Sequence, residues 1–413
     1  MGRFIRDDGS RAAPTKRTSL RVLIERTTLA AEAVRPRGQR LTVLRHLYGL
    51  TQQDLASRVD LSPSFISHVE RGTKLLPVEV VERLALAFAL PTSFFYVPTP
   101  AWVGAQATFR KSSKATRRDE ERVSACYDEA SRLFHWASEA SGYHESDLPD
   151  LDVSTDDPEA VGAEIRRRAG LGKEDPVLNV TRLLERLGIG VVHHLDHLAM
   201  DGSAHAGVSR PSSLNSRPLI GVATPALPPP VKRLTLMHEL GHLIFDRDLA
   251  VPITSVRAIE ERRAFRLAGA VLLPTRVIQQ RVSEGLKLHA YLGIKADYGV
   301  SVGGILKRAR DVDVISRARY RSLSIQLSSQ GWRYDEPVEV ADEKPILFRQ
   351  ALSRASQGAR VEDVGKRLGV AADAVARWAA LEEYSLADVP TKGPSVAKVF
   401  DLEAARQRVR SRA

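Results

Sequence analysis

Residues 40–98 show apolar positions that recur at helical spacing. Three interruptions rich in glycine, proline or polar residues, at 49–51, 60–63 and 72–77, divide the pattern into short runs. Apolar residues three and four positions apart form one buried face on each helix. The segment therefore predicts a compact, all-helical domain. Its apolar positions are Leu41, Leu44, Leu47, Leu55, Val59, Phe65, Ile66, Val69, Val80, Val81, Leu84, Ala87 and Phe88.

A second folded unit is predicted after an acidic, proline-containing stretch at 148–158. There, helical periodicity alternates with two short apolar runs that are typical of strands. Between these runs, the Gly- and Ser-rich segment 201–216 predicts a loop with hairpin character. The predicted helices cover 160–169, 177–187, 231–245 and 258–272, and the predicted strands cover 190–194 and 219–223.

These patterns predict a mainly α protein with one small α+β domain in its centre. A helix is also expected at 123–136, and another near 20–34. The predicted division is a basic lead-in at 1–39, the all-helical domain at 40–98, a helical connector at 99–158, the α+β domain at 159–345 and a helical C-terminal region at 346–413.

The composition adds a charge argument. The chain has 413 residues and a formal net charge of +11, an excess that favours a polyanionic partner, most simply nucleic acid. The single cysteine, Cys126, excludes an intrachain disulfide and is expected to be a buried helix residue. The sequence shows neither an apolar run of roughly 18 residues nor the apolar core of a signal peptide. We therefore expect a cytoplasmic protein without a membrane partner.

Residues 51–72 combine two short helices with the turn between them. Thr51 and Ser62 are good N-caps for the first and second helix. Pro63 stands at the first helical position, where its missing N–H costs nothing. Asp60 occupies the turn and tolerates the left-handed backbone conformation better than most residues. In such a pair, one helix braces on the DNA backbone while the next enters the major groove.

Residues 40–97 resemble the Cro/repressor class of helix-turn-helix domains, also called the XRE family, over the whole small domain. The resemblance implies that the domain binds a double-stranded DNA operator as a homodimer, because such domains read paired half-sites. Asp60 stands where the family usually has glycine, and Pro63 where a polar base-reading residue is common. A helical bundle used only for protein contact is the alternative. The residues that the resemblance places near DNA are Gln52, Ser64, Ser67 and His68.

His238-Glu239-Leu240-Gly241-His242 is a metal-binding motif on a predicted helix. Residues four apart project from one face of a helix, so both imidazoles can bind one Zn²⁺. Glu239, which lies beside them, can act as general base on a water molecule. The flanking residues are apolar and predict a buried helix. Two histidines in such a helix are unusual unless they have a function. Gly241 would let another segment approach closely.

A catalytic zinc ion normally takes three protein ligands, so a third is expected from the following helix. Glu260 and Glu261 are the two carboxylates at its start. We predict Glu261, because apolar residues follow it at helical spacing on one face. These residues are Ala264, Ala268 and Leu272.

Residues 160–345 resemble the ImmA/IrrE metallopeptidases. The resemblance is carried by the run from Arg233 through His242, by Glu261 with the apolar positions up to Leu272-Leu273-Pro274, and by shorter segments at 218–222, 298–301 and 330–333. It implies a zinc cofactor held by His238, His242 and Glu261, with Glu239 as the base. It also implies cleavage of a protein substrate, often a repressor or antitoxin, or of the chain itself. Two residues depart from the family pattern, Phe265 and Leu267.

Several alternatives remain open at this stage. The metal could be bound without peptidase turnover, in a plain transcription factor whose central domain senses a ligand or partner. An antitoxin that acts by protein contact is a third option. Asp246 could orient a ligand histidine or lie at a solvated helix end. The C-terminal stretch 361–378 is either a second nucleic-acid module or a pair of interaction helices. Four further histidines cluster without ligand spacing: His193, His194, His197 and His205.

Overall fold

The computed structural model describes residues 35–100, 108–111, 116–148, 157–198, 205–223, 227–247, 249, 258–333 and 335–381. The predicted helix at 20–34 and the tail beyond residue 381 lie outside these ranges. The helices are α1 (Gln39–Leu47), α2 (Gln52–Arg58), α3 (Pro63–Glu70), α4 (Val78–Ala87), α5 (Arg117–Ala140), α6 (Pro158–Arg168), α7 (Val180–Arg186), α8 (Pro229–Phe245), α9 (Ile259–Leu272), α10 (Thr275–Arg281), α11 (Tyr291–Tyr298), α12 (Val302–Asp311), α13 (Arg317–Ser329), α14 (Leu347–Ser356), α15 (Val361–Leu368) and α16 (Ala372–Trp378). The strands are β1 (Thr108–Lys111), β2 (Gly190–Val192), β3 (His205–Ser209) and β4 (Leu219–Val222).

The mainly α fold class with one small sheet is confirmed. The helix caps and the turn that were predicted for the N-terminal domain are also observed. The Thr51 hydroxyl accepts a hydrogen bond from the backbone N–H of Asp54 at 3.1 Å, and the Ser62 hydroxyl accepts one from Phe65 at 3.1 Å. Asp60 adopts a φ of 50°, the left-handed conformation that the turn requires. Helices α1–α4 enclose their own apolar core around Leu41 and the other apolar positions of this domain.

The central sheet has the strand order β1-β3-β4-β2. Strands β2 and β4 are parallel, whereas β3 pairs antiparallel with both β1 and β4. Two of these strands differ from the sequence predictions, since β1 falls in the predicted helical connector and β3 in the predicted loop at 201–216. Both are short, and β3 includes a glycine, so their extended conformation depends on pairing across the sheet rather than on local propensity.

Alternate side chains of the strands enter different cores on the two sheet faces. Val191 and Ile220 pack with α8 in one core, whereas Val192 and Leu219 pack in the other with α5 and the C-terminal helices. The 24-residue helix α5 is therefore part of the layer that covers the sheet. Cys126 lies on this helix and is buried, as expected.

The C-terminal helices α15 and α16 pack against α5 and the N-terminal domain. The Ser93 hydroxyl donates to the carbonyl of Lys366, and the Arg132 guanidinium donates to that of Leu368 at 2.7 Å. In α16, four of the seven residues are buried, which leaves little surface for reading DNA. This burial favours the interaction-helix interpretation of 361–378. Within the described ranges, no helix combines the length and the apolar character that crossing a membrane would need.

Candidate metal centre

Helix α8 carries the two motif histidines into the interior. Three prolines precede and begin the helix, at Pro228 and the first helical positions, where proline costs no hydrogen bond. His238, Glu239 and His242 are all fully buried. The predicted burial of this helix is therefore observed, and its two imidazoles face one point.

Three side chains converge at that point. The Nε2 atoms of His238 and His242 lie 3.1 Å apart. The Glu261 carboxylate approaches from α9, with its oxygens 3.3 Å from Nε2 of His238 and 3.5 Å from Nε2 of His242. Glu260, the neighbouring carboxylate, is only partly buried. The structure thus brings together the three residues that the sequence analysis selected.

The spacing of these atoms fits a metal ion. Two nitrogen ligands, each about 2.0–2.1 Å from a zinc ion, lie roughly 3.3 Å apart in a tetrahedral site. The observed nitrogen–nitrogen and nitrogen–oxygen separations, 3.1 to 3.5 Å, are close to this value. Two imidazoles and one carboxylate are also the ligand set of many catalytic zinc sites.

The charges around the two imidazoles favour a cation between them. Burial lowers the pKa of His242, but hydrogen bonds to Asp246 and Glu261 outweigh it and raise that pKa to about 10. Burial raises the pKa of Glu261, but its contacts with His238 and His242 lower that pKa to about 2. Buried carboxylates thus hold positive charge at the position where a divalent ion would stand.

Asp246 orients His242. The alternative interpretation, in which Asp246 lies at a solvated helix end, was wrong. Asp246 is only 1% exposed, and its Oδ2 lies 2.6 Å from Nδ1 of His242. Its Oδ1 accepts a hydrogen bond from Arg263 of α9 at 2.5 Å. A carboxylate on Nδ1 fixes the tautomer and directs Nε2 to the metal position.

Replacing Asp246 by alanine should weaken zinc binding about 10- to 100-fold, since His242 loses its orienting partner. The affinity can be measured by competition with a chromophoric chelator. Asp297→Ala is a suitable control, because Asp297 is exposed and pairs with Arg281 away from this cluster. Equal zinc affinities of the two variants would show that Asp246 has no orienting role.

The sheet positions Glu239. Its Oε2 accepts a hydrogen bond from the Ser209 hydroxyl of β3 at 2.7 Å, and the Thr108 hydroxyl of β1 lies 3.4 Å away. Both hydroxyl residues are buried and also contact each other at 2.8 Å. Neither residue was predicted from the sequence, because the strands that carry them were not predicted. A serine or threonine at the end of a strand beside the motif helix would be the signal to look for.

Residues 184–310 match the family model of the IrrE N-terminal-like domain, and residues 38–93 match that of a helix-turn-helix domain. The chain joins a helix-turn-helix domain to an IrrE-like domain. Both resemblances seen in the sequence are therefore confirmed, and the combination supports a DNA-binding regulator with a peptidase-like domain. Neither the curated proteins nor the solved structures include a match to the chain.

Gly241 lets the two helices of the IrrE-like domain cross closely. A Cβ atom at this position would lie 2.7 Å from Cα of Ala264 and 2.9 Å from its Cβ. Such a contact is too short to exist, and the obstacle includes backbone of α9. The predicted close approach is therefore present, and it brings Glu261 on α9 within reach of α8.

The Gly241→Ala variant should be less stable than the parent by about 1–3 kcal/mol, because α8 and α9 must separate to admit the methyl group. The free energy of unfolding can be measured by denaturant titration. Gly303→Ala on α12 is the matched control, since a Cβ there meets nothing within 4 Å. We expect that control to be unchanged or up to about 1 kcal/mol more stable. A Gly241→Ala variant as stable as the control would contradict the close crossing.

The helix-turn-helix domain presents only part of the predicted DNA-contacting set to solvent. Ser64 and His68 are exposed on α3, and Ser67 is partly exposed. Gln52 donates from its amide to Glu70 at 2.7 Å, and Glu70 also binds Arg45 at 2.9 Å. Gln52 therefore braces α2 against α3 in this structure.

Two cations that the sequence analysis did not single out follow α3. Arg71 and Lys74 are both exposed, and Arg71 donates to the carbonyl of Ser67 at 3.2 Å. Cations beside a recognition helix commonly bind phosphates. His68 points its Nδ1 at the Thr73 hydroxyl, 2.9 Å away, in the same short segment.

The clustered histidines of the sequence analysis do not form one site. His193 and His194 line a cavity beside the C-terminal helices α14 and α16, and His197 packs edge-on against Tyr48. His205 belongs to β3, but its side chain lies outside the described set.

A second cluster includes His197. Ligand atoms of Cys126, Asp196 and His197 lie within 4.8 Å of one another. Asp196, however, is held by Arg122 at 2.8 Å, and burial raises the pKa of the Cys126 thiol. These contacts explain the proximity of the three residues as ordinary packing rather than as a metal site.

Proposed function

We propose that this protein is a transcriptional regulator whose IrrE-like domain is a zinc-dependent peptidase. The observation that carries the proposal is the buried cluster of His238, His242 and Glu261, with Glu239 adjacent on the same helix. Its substrate would be a repressor or antitoxin protein, or the chain itself. The cluster offers a metal three protein ligands, the number that is typical of catalytic rather than structural zinc.

His238, His242 and Glu261 would hold the zinc ion, which when bound supplies Lewis-acid polarisation of the scissile carbonyl. The Glu239 carboxylate would take a proton from the attacking water and pass it to the leaving amine. Ser209 holds one oxygen of that carboxylate at 2.7 Å, so its orientation is set before a substrate arrives. Asp246 fixes the imidazole of His242 at 2.6 Å.

The helix-turn-helix domain would bind a double-stranded operator through α3, with Ser64, Ser67 and His68 at base edges or phosphates. Gln52 would hold a phosphate or brace α3, as its bond to Glu70 indicates. We propose a homodimer, because domains of this class read paired half-sites.

Surface-exposed apolar residues support self-association. Val78 and Leu86 on α4 are 51% and 75% exposed, and Leu75 just before the helix is 71% exposed. Burying such exposed apolar side chains against a second copy of the chain would be energetically favourable.

A comparison of transcripts in cells separates the catalytic proposal from its main alternative. Cells that carry the parent and cells that carry Glu239→Gln should differ in the transcripts that respond to the regulator. The helix-turn-helix domain is intact in both strains, so a difference can only come from the IrrE-like domain. Identical transcripts would favour a regulator that senses a ligand or partner without cleavage.

A further inference from the structure

A cavity of about 450 Å³ lies between the end of β2 and the C-terminal helices α14 and α16. Its wall includes His193 and His194, which directly follow β2, together with Arg349 of α14 and Arg377 and Trp378 of α16. His238, His242 and Glu261 do not line it. A cavity of this size holds a small organic molecule.

The carboxylates around this cavity are already neutralised by neighbouring cations. Each one is within ion-pair distance of a lysine or an arginine, so none demands a further positive charge. The pairs are Asp342 with Lys232 at 2.6 Å, Glu343 with Arg233, and Asp373 with Arg377 at 3.2 Å.

By contrast, some basic and polar groups of the wall have atoms that form no hydrogen bond or ion pair with the described residues. Arg349 is partly buried, and its side chain forms no ion pair or hydrogen bond with any residue that the structure describes. Nε2 of His193 and Nε of Arg377 are buried, and neither has a hydrogen-bond partner among the described residues. Burial lowers the pKa of His193 to about 4, so its ring is neutral at pH 7. Buried polar atoms without partners are rare in folded proteins, and two of them belong to residues that line this one cavity.

Trp378 gives the cavity an apolar wall of fixed orientation. Its indole N–H donates to the carbonyl of Leu195 at 2.9 Å, and the residue is only 3% exposed. Ile346 and Ala376 add aliphatic surface. An apolar wall with a few convergent polar groups is the usual design of a small-molecule site.

We propose that this cavity binds a small organic anion with an apolar body, and that Arg349 is its counter-ion. Arg377 would place a second guanidinium beside the anionic group, while the apolar body packs on Trp378. The proposal does not depend on peptidase activity, since the cavity and the metal cluster share no residue.

The position of α16 gives this site a route to the DNA-binding domain. Arg377 and Trp378 also line a small crevice whose other wall includes Tyr48 and Phe94 of the helix-turn-helix domain. A ligand in the cavity therefore contacts a helix that faces that domain across the crevice.

The proposal can be tested by isothermal titration of the full chain at pH 7. The probes are benzoate, octanoate and phenyl phosphate, each beside its uncharged counterpart, benzamide, octanamide or phenol. We expect at least one anion to bind with one-to-one stoichiometry and a Kd below about 1 mM. The uncharged counterpart should bind at least about tenfold more weakly, because it cannot pair with a guanidinium.

Arg349→Gln is the decisive variant, and Arg354→Gln on the same helix is its matched control, since Arg354 is exposed and does not line the cavity. Arg349→Gln should weaken binding of the anion about tenfold or more, while Arg354→Gln leaves it unchanged. The proposal is overturned if none of the three anions binds, if the two variants bind alike, or if the uncharged counterpart binds as well as its anion. This last comparison uses the parent protein alone, so it holds even if Arg349→Gln fails to fold.

Discussion

The Glu239→Gln variant should lose peptide cleavage by about 10²- to 10⁴-fold, the usual contribution of a general base. Glutamine has the shape of glutamate, and its amide can still accept the hydrogen bond that Ser209 donates at 2.7 Å. It cannot take a proton from water, however. The three proposed metal ligands are unchanged, so the variant should keep its zinc. Cleavage can be measured as the rate at which new N-termini appear when zinc-loaded full-length protein is incubated alone or with host lysate.

The control for this experiment is Glu260→Gln. Glu260 is the carboxylate next to Glu261 on α9, but it is only partly buried and lies outside the cluster. This variant should cleave at the rate of the parent. A Glu239→Gln variant that generates the same new termini at the same rate would contradict the assignment of Glu239 as the base. Loss of cleavage in Glu260→Gln would contradict the choice of Glu261.

Removing the charge of Glu129 should destabilise the protein by about 3–5 kcal/mol, the cost of leaving a buried cation without its partner. Glu129 on α5 binds Arg40 of the helix-turn-helix domain at 2.6 Å and Arg132 of its own helix at 2.7 Å. Arg40 is only 3% exposed and also lies over the ring of Phe94, 3.9 Å from its centroid. In Glu129→Gln both guanidinium groups keep their burial and lose their counter-ion.

The measurement is the free energy of unfolding by denaturant titration. Glu139→Gln is the matched control, because Glu139 lies near the end of the same helix and is exposed. Its effect should stay within about 0.5 kcal/mol. Equal stabilities of the two variants would show that the ion pair does not fasten the helix-turn-helix domain to α5.

The same ion pair predicts how stability changes in acid. Burial raises the pKa of Glu129, but Arg132 and Arg40 outweigh it and lower that pKa from 4.5 to about 2. A group whose pKa is lower in the folded state stabilises the protein at pH values above the pKa that the group has in the unfolded chain. The contribution of Glu129 is therefore complete above pH 4.5 and is lost as the pH falls towards about 2.

The sequence predictions that succeeded depended on residues that lie close together in the chain. Thr51 and Ser62 cap their helices because capping depends on residues only three positions away. The convergence of His238 and His242 follows from four-residue spacing on one helix. Glu261 was selected by the same periodicity on the next helix.

The predictions that failed depended on distant partners. Strands β1 and β3, which supply Thr108 and Ser209 to Glu239, exist because they pair with each other across about a hundred residues of chain. Asp246 is buried and accepts a hydrogen bond from Arg263 of α9, and no property of α8 alone reveals this contact. The cavity at Arg349 is formed by three separate segments, so no local pattern could predict it.

The most direct test of the central claim is the zinc content of the purified full chain, measured by inductively coupled plasma mass spectrometry. We expect about one zinc ion per chain in the parent. The His238→Ala variant should fall to background, whereas His144→Ala, which alters an exposed histidine outside the cluster, should keep its zinc. A parent protein without stoichiometric zinc, or a His238→Ala variant that binds as much zinc as the parent, would contradict the proposed metal centre and the peptidase built on it.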